Sequence, residues 1–209
     1  MYARLVTVTG ADNINDGVVF LREKVVPTLM DQKGYRSLTA SADRSARIFE
    51  VLSSWETAAD REASESAAGK LRHEAIGIFG GELHVEHFEE LVVDVNEPPS
   101  MGSALMATRV SMDSRRIDEN LAFFRTNVLP RIKATPGYCA LRYMINRETG
   151  HGLSYSVWTD QEAMRAWAAS AQPLRQDATA RGVTLGEASH RELLFVDLHE
   201  DDLRGHTGR

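Results

Sequence analysis

The sequence predicts an α+β protein made of two copies of a β-α-β-β-α-β unit, and three observations support this. Residues 20–94 align without a gap on residues 123–197, and 20 of the 75 aligned positions are identical, where ordinary composition gives about 5 by chance. Within each copy, two stretches of helical spacing separate stretches typical of strands. The segment 97–103, rich in Pro, Ser and Gly, reads as a linker. A repeat of about 100 residues indicates two domains rather than a solenoid.

The predicted elements follow the same order in both copies. In the first copy the predicted elements are strand 4–9, helix 16–33, strand 35–41, strand 47–55, helix 57–78 and strand 83–95. In the second copy they are strand 104–111, helix 117–133, strand 138–146, strand 153–158, helix 161–180 and strand 187–198. Domain boundaries are therefore expected at 1–96 and 104–199, with a flexible tail at 200–209.

Several details of the helices are also predicted. Pro27 and Pro130 fall late in the first helix of each copy and should kink it. In the second helix of the first copy, a narrow row recurs every four positions, formed by Ala59, Ala63, Ala67, Leu71 and Ala75. This row is expected either to pack very close to the sheet or to leave a gap above it. In the second copy Pro173 should split the corresponding helix.

The β-α-β-β-α-β order is that of the ferredoxin-like unit, an antiparallel sheet with two helices on one face. The other face of such a sheet needs cover. With two copies on a short tether, the simplest arrangement packs the two open faces together about a pseudo-twofold axis, as a pseudo-dimer within one chain.

Composition narrows the classes of function. The net charge is −6 and there is no Lys/Arg run, so nucleic acid and anionic membranes are not expected partners. No apolar run approaches the roughly 18 residues of a membrane span, and the N-terminus does not resemble a signal peptide. Cys139 is the single cysteine, which excludes an internal disulfide, and it is expected to be a buried small hydrophobe rather than a nucleophile. A cytoplasmic protein fits best.

The stretches SSWETAADREASESAAGKLRHEA and YSVWTDQEAMRAWAASAQPLRQDA show, in both copies, a strand that ends in Trp, an acidic residue close behind and an Ala-rich helix. This pattern resembles the antibiotic biosynthesis monooxygenase domain of the dimeric α+β barrel superfamily, over about 95 residues per copy. The resemblance implies two ferredoxin-like repeats packed as an intramolecular dimeric α+β barrel.

The same resemblance implies several activities. The family includes cofactor-independent oxygenases of polycyclic phenols, haem-degrading enzymes and members without known activity. Its oxygenases use no metal or flavin: a deprotonated phenol or enol, held in a dry pocket between sheet and helices, itself reduces dioxygen. No cofactor is therefore expected, and the expected ligand is a small hydrophobic or aromatic molecule.

Trp167 is the first candidate for binding such a ligand. It stands nine residues after Trp158, and in the haem-degrading members a helical Trp follows the strand Trp at a similar distance and lines the cavity. The first copy has Ser64 at the equivalent position. The alternative is that Trp167 is a core anchor.

Four further candidates lie on strands of the second copy. Tyr143 and Tyr155 replace Ala40 and Leu52 of the first copy. Arg142 and Arg109 could supply cations to an anionic ligand; these four residues are otherwise half-exposed strand positions. Because these side chains and Trp167 set the second copy apart, the pocket is predicted there, beside the helix that bears Trp167. No catalytic residue is assigned.

Haem and metal are weaker alternatives. The haem-degrading members carry an axial His about ten residues beyond the helical Trp, where this chain has Asp177, and an Asn on the first strand, which neither copy has. The repeated pairs His87-x-Glu89 and His190-x-Glu192 could bind a metal, but their presence in both copies favours a structural layer. No metal site is therefore predicted.

Three functions remain open at this stage. The first is a cofactor-independent monooxygenase acting on a hydrophobic phenol or quinol. The second is a non-catalytic ligand-binding or stress-associated barrel. The third is a haem or metal protein. A further homodimer of the whole chain is also possible.

Overall fold

The computed structural model describes residues 1–198. The predicted flexible tail at 200–209 lies outside the described residues. The first repeat comprises β1 (Tyr2–Thr9), α1 (Ile14–Phe20), α2 (Val26–Met30), β2 (Tyr35–Asp43), β3 (Ile48–Trp55), α3 (Ala58–Ala63), α4 (Glu65–Phe79) and β4 (Glu82–Val95). The second comprises β5 (Ala104–Ser111), α5 (Ile117–Phe123), α6 (Leu129–Lys133), β6 (Tyr138–Ile145), β7 (His151–Trp158), α7 (Gln161–Ser170), α8 (Gln172–Ala180) and β8 (Thr184–Leu198).

The eight strands are hydrogen-bonded in one closed antiparallel order, β1-β3-β2-β8-β5-β7-β6-β4. The predicted fold class, an α+β barrel of two ferredoxin-like repeats, is confirmed. Among the described residues no helix has the length and apolarity needed to cross a membrane.

The chain divides into two compact units. The first unit contains residues 1–88 and the stretch that begins at Glu192, and the second contains residues 89–191. In the first unit β3 lies between β1 and β2, and β2 also pairs with the end of β8, from Ser37↔Leu198 to Ala42↔Glu192. The division between the two units passes through β4 and β8. The domain boundaries predicted from the sequence, 1–96 and 104–199, follow the repeat instead, and they stay a prediction.

The second unit has the same arrangement. Here β7 lies between β5 and β6, and β6 pairs with the end of β4, from Glu89↔Ile145 to Val95↔Ala140. Each unit has its own buried cluster, with a fully buried Trp at the end of its central strand, Trp55 or Trp158. The prediction that these two residues are core is confirmed, as is the burial of Cys139.

Both first helices contain one π-helical turn before the proline, at Leu21–Val25 and Phe124–Val128. Proline lacks an N–H and its ring collides with the carbonyl four residues earlier. That carbonyl lies inside the π turn, where the wider i→i+5 spacing accommodates the ring. The predicted disturbance at Pro27 and Pro130 therefore takes the form of a π turn.

The second helix of the first repeat was predicted as one continuous segment, and this is wrong. It begins at Thr57, whose Oγ1 accepts a hydrogen bond from the Asp60 amide at 3.0 Å, and it breaks at Ser64 between α3 and α4. The break shifts the helical phase, so Ala59 and Ala63 of the predicted row are exposed. Leu71 and Ala75 of the same row are buried and form the buried face together with Ala68 and Phe79.

Candidate functional site

The larger cavity lies in the second unit, between the sheet and helices α5, α7 and α8. It has a volume of about 290 Å³, close to the lower end of the roughly 300–1,000 Å³ of ligand pockets. A pocket beside the helix that bears Trp167 was expected from the sequence, and this is where the cavity lies. Its walls are mostly apolar and include Met106, Val110, Phe123, Phe124, Val128, Ile132, Trp167, Leu174, Val183 and Leu185.

The first unit has a much smaller cavity, of about 60 Å³, and the two repeats differ at two aromatic positions that line it. Phe49 and Phe79 line the first cavity, with ring centroids 4.6 Å apart. At the corresponding positions, 103 residues later, the second unit has Gly152 and Gly182. The second unit therefore lacks two aromatic rings that occupy space between sheet and helices in the first.

The sheet supplies the hydroxyl groups of the larger cavity. Side chains alternate between the two faces of a strand, and the cavity is lined by Thr108 of β5 and by Ser154 and Ser156 of β7. Thr108 pairs with Ser154, and Tyr143 of β6 pairs with the same serine on the other side. Ser156 Oγ accepts a hydrogen bond from Trp158 Nε1 at 3.0 Å. These groups form a polar strip on an otherwise apolar wall.

Trp167 is held in the wall by the start of α7. The Asp160 carboxylate caps that helix, accepting a hydrogen bond from the Ala163 amide at 2.9 Å. Met164 and Trp167, four and seven residues after Asp160, are buried. Trp167 stacks on Trp158, with ring centroids 5.9 Å apart and planes at 20°. Trp167 also lines the cavity, and 6% of the residue is exposed.

The helix then breaks at Ala171, and α8 starts with Pro173 in its first turn. The predicted split at Pro173 is confirmed. The new helix direction brings Arg175 into the cavity lining, where its Nη2 donates to the Gly186 carbonyl at 2.9 Å. Arg175 is the cation of this cavity, a role that the sequence analysis gave to Arg142 and Arg109.

Asn120 is a second residue that the sequence analysis missed. It lies on the buried face of α5 and is 4% exposed. Its Nδ2 lies 3.6 Å from Met112 Sδ, a weak acceptor. Its Oδ1 is buried with no hydrogen-bond partner among the described residues, and the residue lines the cavity. The signal in the sequence was an amide on the apolar face of an amphipathic helix.

Tyr143 faces the cavity from β6 and stacks on Phe124, with ring centroids 4.4 Å apart and planes at 18°. Burial raises the pKa of its phenol to about 12. Among the described residues no partner accepts or donates a hydrogen bond to this hydroxyl. It is therefore a neutral donor and not a base at ordinary pH.

Tyr155, Arg142 and Arg109 alternate with cavity-lining residues on their strands, and they lie on the opposite face of the sheet. Arg142 forms an ion pair with the fully buried carboxylate of Glu90. Of the five residues selected from the sequence, the cavity thus brings together Trp167 and Tyr143. A binding role for the other three stays a prediction.

The described residues give little support to the alternatives of a haem site or a metal site. Asp177, at the position of the family's axial His, is exposed, and the residues that line the cavity include no imidazole or thiol. Glu89 pairs with Arg147 at 2.6 Å and Glu192 with Arg44 at 3.6 Å. Within residues 1–198 no group of three or more His, Cys, Asp or Glu side chains could hold a metal ion.

Comparison with known proteins gives relatives of similar length. No protein-family model matches the chain. The uncharacterized protein Rv2557 of Mycobacterium tuberculosis is 25% identical over 194 residues, covering 92% of this chain and 84% of the relative. Rv2558 of the same organism is 25% identical over 206 residues, covering 97% and 87%.

Solved structures share the fold at lower identity. A candidate monooxygenase of Fusobacterium nucleatum superposes with a TM-score of 0.70 at 12% identity over 94% of both chains. An anthrone oxidase-like protein gives 0.67 at 14% identity, over 97% of this chain and 94% of the other. A heme-degrading enzyme of Listeria monocytogenes gives 0.51 at 9% identity, over 90% and 98%. At these identities the likeness shows the fold, which is that of monooxygenase-like α+β barrels.

Proposed function

We propose that this chain is a cofactor-independent monooxygenase of the antibiotic biosynthesis monooxygenase type, which binds a hydrophobic phenol or quinol in the cavity of the second unit. The observation that carries the proposal is the pairing of apolar, partly aromatic walls with a buried polar atom that lacks a partner among the described residues, Asn120 Oδ1, beside the Tyr143 hydroxyl in the same cavity lining. A buried acceptor without a partner is costly, and a ligand hydroxyl would satisfy it.

The shape of the cavity favours a flat ligand with two or three fused rings. Trp167 offers a stacking face on one side, and the stacked rings of Tyr143 and Phe124 lie on another. Arg175 supplies a positive charge near the ring system, which lowers the pKa of a bound phenol. The residues lining the cavity include no carboxylate or imidazole, so the proton leaves to water rather than to a side-chain base.

The reaction balances without a cofactor. A bound phenolate or enolate gives one electron to dioxygen, and the resulting radical and superoxide combine at carbon. The peroxide anion then takes up the proton that the substrate released and becomes a hydroperoxide. Loss of water then leaves a carbonyl, so that R₂CH₂ and O₂ give R₂C=O and H₂O. The role of the protein is to stabilise the anion and to exclude bulk water.

The absence of a side-chain base from the cavity lining also favours a second candidate, a non-catalytic protein that binds the same class of ligand. Oxygen uptake and tryptophan fluorescence, measured together with anthrone and with a naphthoquinol, separate the two. The monooxygenase consumes one O₂ per substrate, leaves one oxygen atom in a quinone product and releases water rather than H₂O₂. A binding protein shows saturable quenching of Trp167 fluorescence with no oxygen uptake above the buffer rate.

A matched pair of variants tests the place of binding. Arg175→Met removes the cation of the cavity, and Arg72→Met makes the same change at the corresponding position of the first unit. We expect only Arg175→Met to weaken binding of the phenolate. An absorption spectrum completes the test, since one-to-one haem binding with a Soret band and submicromolar affinity would contradict the proposal.

A further inference from the structure

The sheet side of the larger cavity carries a row of three side chains with hydroxyl groups, one from each of three adjacent strands. Thr108 of β5 pairs with Ser154 of β7, and Tyr143 of β6 pairs with the same serine from the other side. All three side chains line the cavity. We call them the hydroxyl row.

Within this row the hydroxyls of Thr108 and Ser154 form a close pair near the sheet. Directly opposed residues on neighbouring antiparallel strands have Cβ atoms about 4.5–5.5 Å apart, and in Ser and Thr the hydroxyl oxygen is bonded to Cβ itself. The hydroxyl of Tyr143 is instead at the far end of a ring that stacks on Phe124. Two short hydroxyl groups thus stand side by side on the floor of an otherwise mostly apolar space.

Ser154 presents accessible surface to the cavity. Its strand β7 is the central strand of the unit, and its two neighbours in the row, Thr108 and Tyr143, are buried. Ser154 is nevertheless only half-buried. Because paired strands lie on both sides of it and its side chain lines the cavity, the accessible surface of Ser154 faces the cavity. A ligand in the cavity can therefore reach this hydroxyl.

The protein itself leaves the two hydroxyls free. Within residues 1–198 no hydrogen bond joins Thr108 Oγ1 or Ser154 Oγ to another group, and neither oxygen is among the fully buried polar atoms without a partner. Both oxygens therefore keep accessible surface. The neighbouring Ser156 differs, because its Oγ already accepts a hydrogen bond from Trp158 Nε1 at 3.0 Å.

The first unit has apolar side chains at the positions of the hydroxyl row. Its strand register pairs Val6 with Val51 and Val51 with Ala40, in the same arrangement as the three residues of the row in the second unit. Val6 and Val51 line the smaller cavity. All three hydroxyl groups are therefore particular to the unit with the larger cavity, where they concentrate polarity along one side of it.

We propose that Thr108 and Ser154 are specificity-determining residues, which select aromatic ligands with two oxygen atoms side by side on one edge of the ring system. Each ligand oxygen bonds to one of the two hydroxyls, and the rings lie against the apolar walls. A hydroxyl group both donates and accepts hydrogen bonds, so the pair can hold such a ligand with one oxygen protonated and the other deprotonated. This role rests on the proposed function, since it needs an aromatic ligand in this cavity.

The test is calorimetric titration of the full-length protein under nitrogen, where no oxygenation occurs, with 2-naphthol, 2,3-naphthalenediol and 2,6-naphthalenediol. The two diols have the same formula, but only the first has its oxygens on neighbouring carbons. We expect the neighbouring oxygen to raise the affinity about tenfold over 2-naphthol, because it gains a hydrogen bond from an otherwise free hydroxyl.

Thr108→Val and Ser154→Val introduce the residue that the first unit has at each position. In both variants the gain from the neighbouring oxygen should fall to about twofold or less, while the ratio of affinities for 2,6-naphthalenediol and 2-naphthol stays as in the unmodified protein. Thr108→Val preserves the shape of the side chain and keeps the test decisive if Ser154→Val, which adds volume, fails to fold. Thr39→Val on β2 of the first unit is the matched control and should retain the full gain.

The outcomes separate this role from the proposed function. No gain from the neighbouring oxygen, a gain that persists in either variant, or an equal loss for both diols would overturn the role of the two hydroxyls and leave the proposed ligand class standing. Failure of all three compounds to bind would contradict the proposed function, and this role with it.

Discussion

Trp167 stacks on Trp158 with ring centroids 5.9 Å apart, so one tryptophan of the pair is core and the other is the wall of a cavity. Trp158 is fully buried and its Nε1 is bonded to Ser156, whereas Trp167 lines the cavity. Ser64 stands in its place in the first repeat. The first repeat thus folds with a small side chain at this position, and removal of the indole at 167 tests the pocket directly.

We expect Trp167→Phe to weaken ligand binding about tenfold, or about 1.4 kcal/mol, while the free energy of unfolding falls by less than about 1 kcal/mol because the lost ring borders open space. Fluorescence titration and urea unfolding measure the two effects. Trp55→Phe is the matched control: it removes a fully buried indole and its bond to Ser53, so it should cost about 1–3 kcal/mol of stability and leave binding unchanged. A stability loss of that size in Trp167→Phe, with binding intact, would identify Trp167 as a core residue.

Asn120→Leu should change the stability of the protein and its affinity for a phenol in opposite directions. The substitution removes the unpartnered Oδ1 and puts an apolar side chain of similar size on the buried face of α5. We expect the ligand-free protein to become more stable by about 1 kcal/mol and the affinity for a phenol to fall about tenfold. Chemical denaturation with and without ligand gives both numbers. A destabilised variant with unchanged affinity would show that Asn120 serves the fold and not the ligand.

Tyr143 gives a prediction for alkaline pH. Burial raises the pKa of its phenol to about 12 in the folded chain, against about 10 when unfolded. The folded state therefore holds this proton more tightly, so the stabilisation is complete below pH 10 and is lost as the pH rises toward 12. A shift of two units corresponds to about 2.7 kcal/mol. Unfolding measured from pH 9 to 12 should show a flatter loss of stability in Tyr143→Phe than in the unmodified protein; identical slopes would contradict the assignment.

The repeat itself can be tested with a fragment of residues 1–103. In the full chain the edge of β2 is covered by the end of β8, from Leu198 to Glu192, and the fragment lacks this partner. Its own residues 89–95 correspond to that stretch by the repeat. An uncovered strand edge has unpaired backbone N–H and C=O groups that can pair with another chain. We therefore expect the fragment to form a homodimer in which 89–95 of one copy pairs with β2 of the other. Light scattering after size exclusion gives the mass, and a stable folded monomer would argue against the predicted boundaries.

The sequence by itself determined the fold class, because hydrophobic periodicity and turn residues act locally and occur twice at a constant offset. The split at Pro173 and the core tryptophans Trp55 and Trp158 follow from the same local rules and from burial of large apolar groups. The break of the helix at Ser64 could not be predicted in this way. At this break Ser64 Oγ accepts a hydrogen bond from the side chain of Arg4, 60 residues away in the chain.

The tertiary structure decided which polar groups share a cavity. Strand alternation placed Tyr143 and Arg142 on opposite faces of the sheet, although they are neighbours in the chain. Helix packing instead brought Asn120 and Arg175, from two separate helices, to the same space. Phe49 and Phe79 of the first repeat are matched by Gly152 and Gly182 in the second, and only the structure shows that the two phenylalanine rings border a cavity. Volume and burial are properties of packing between distant segments, and local sequence patterns do not contain them.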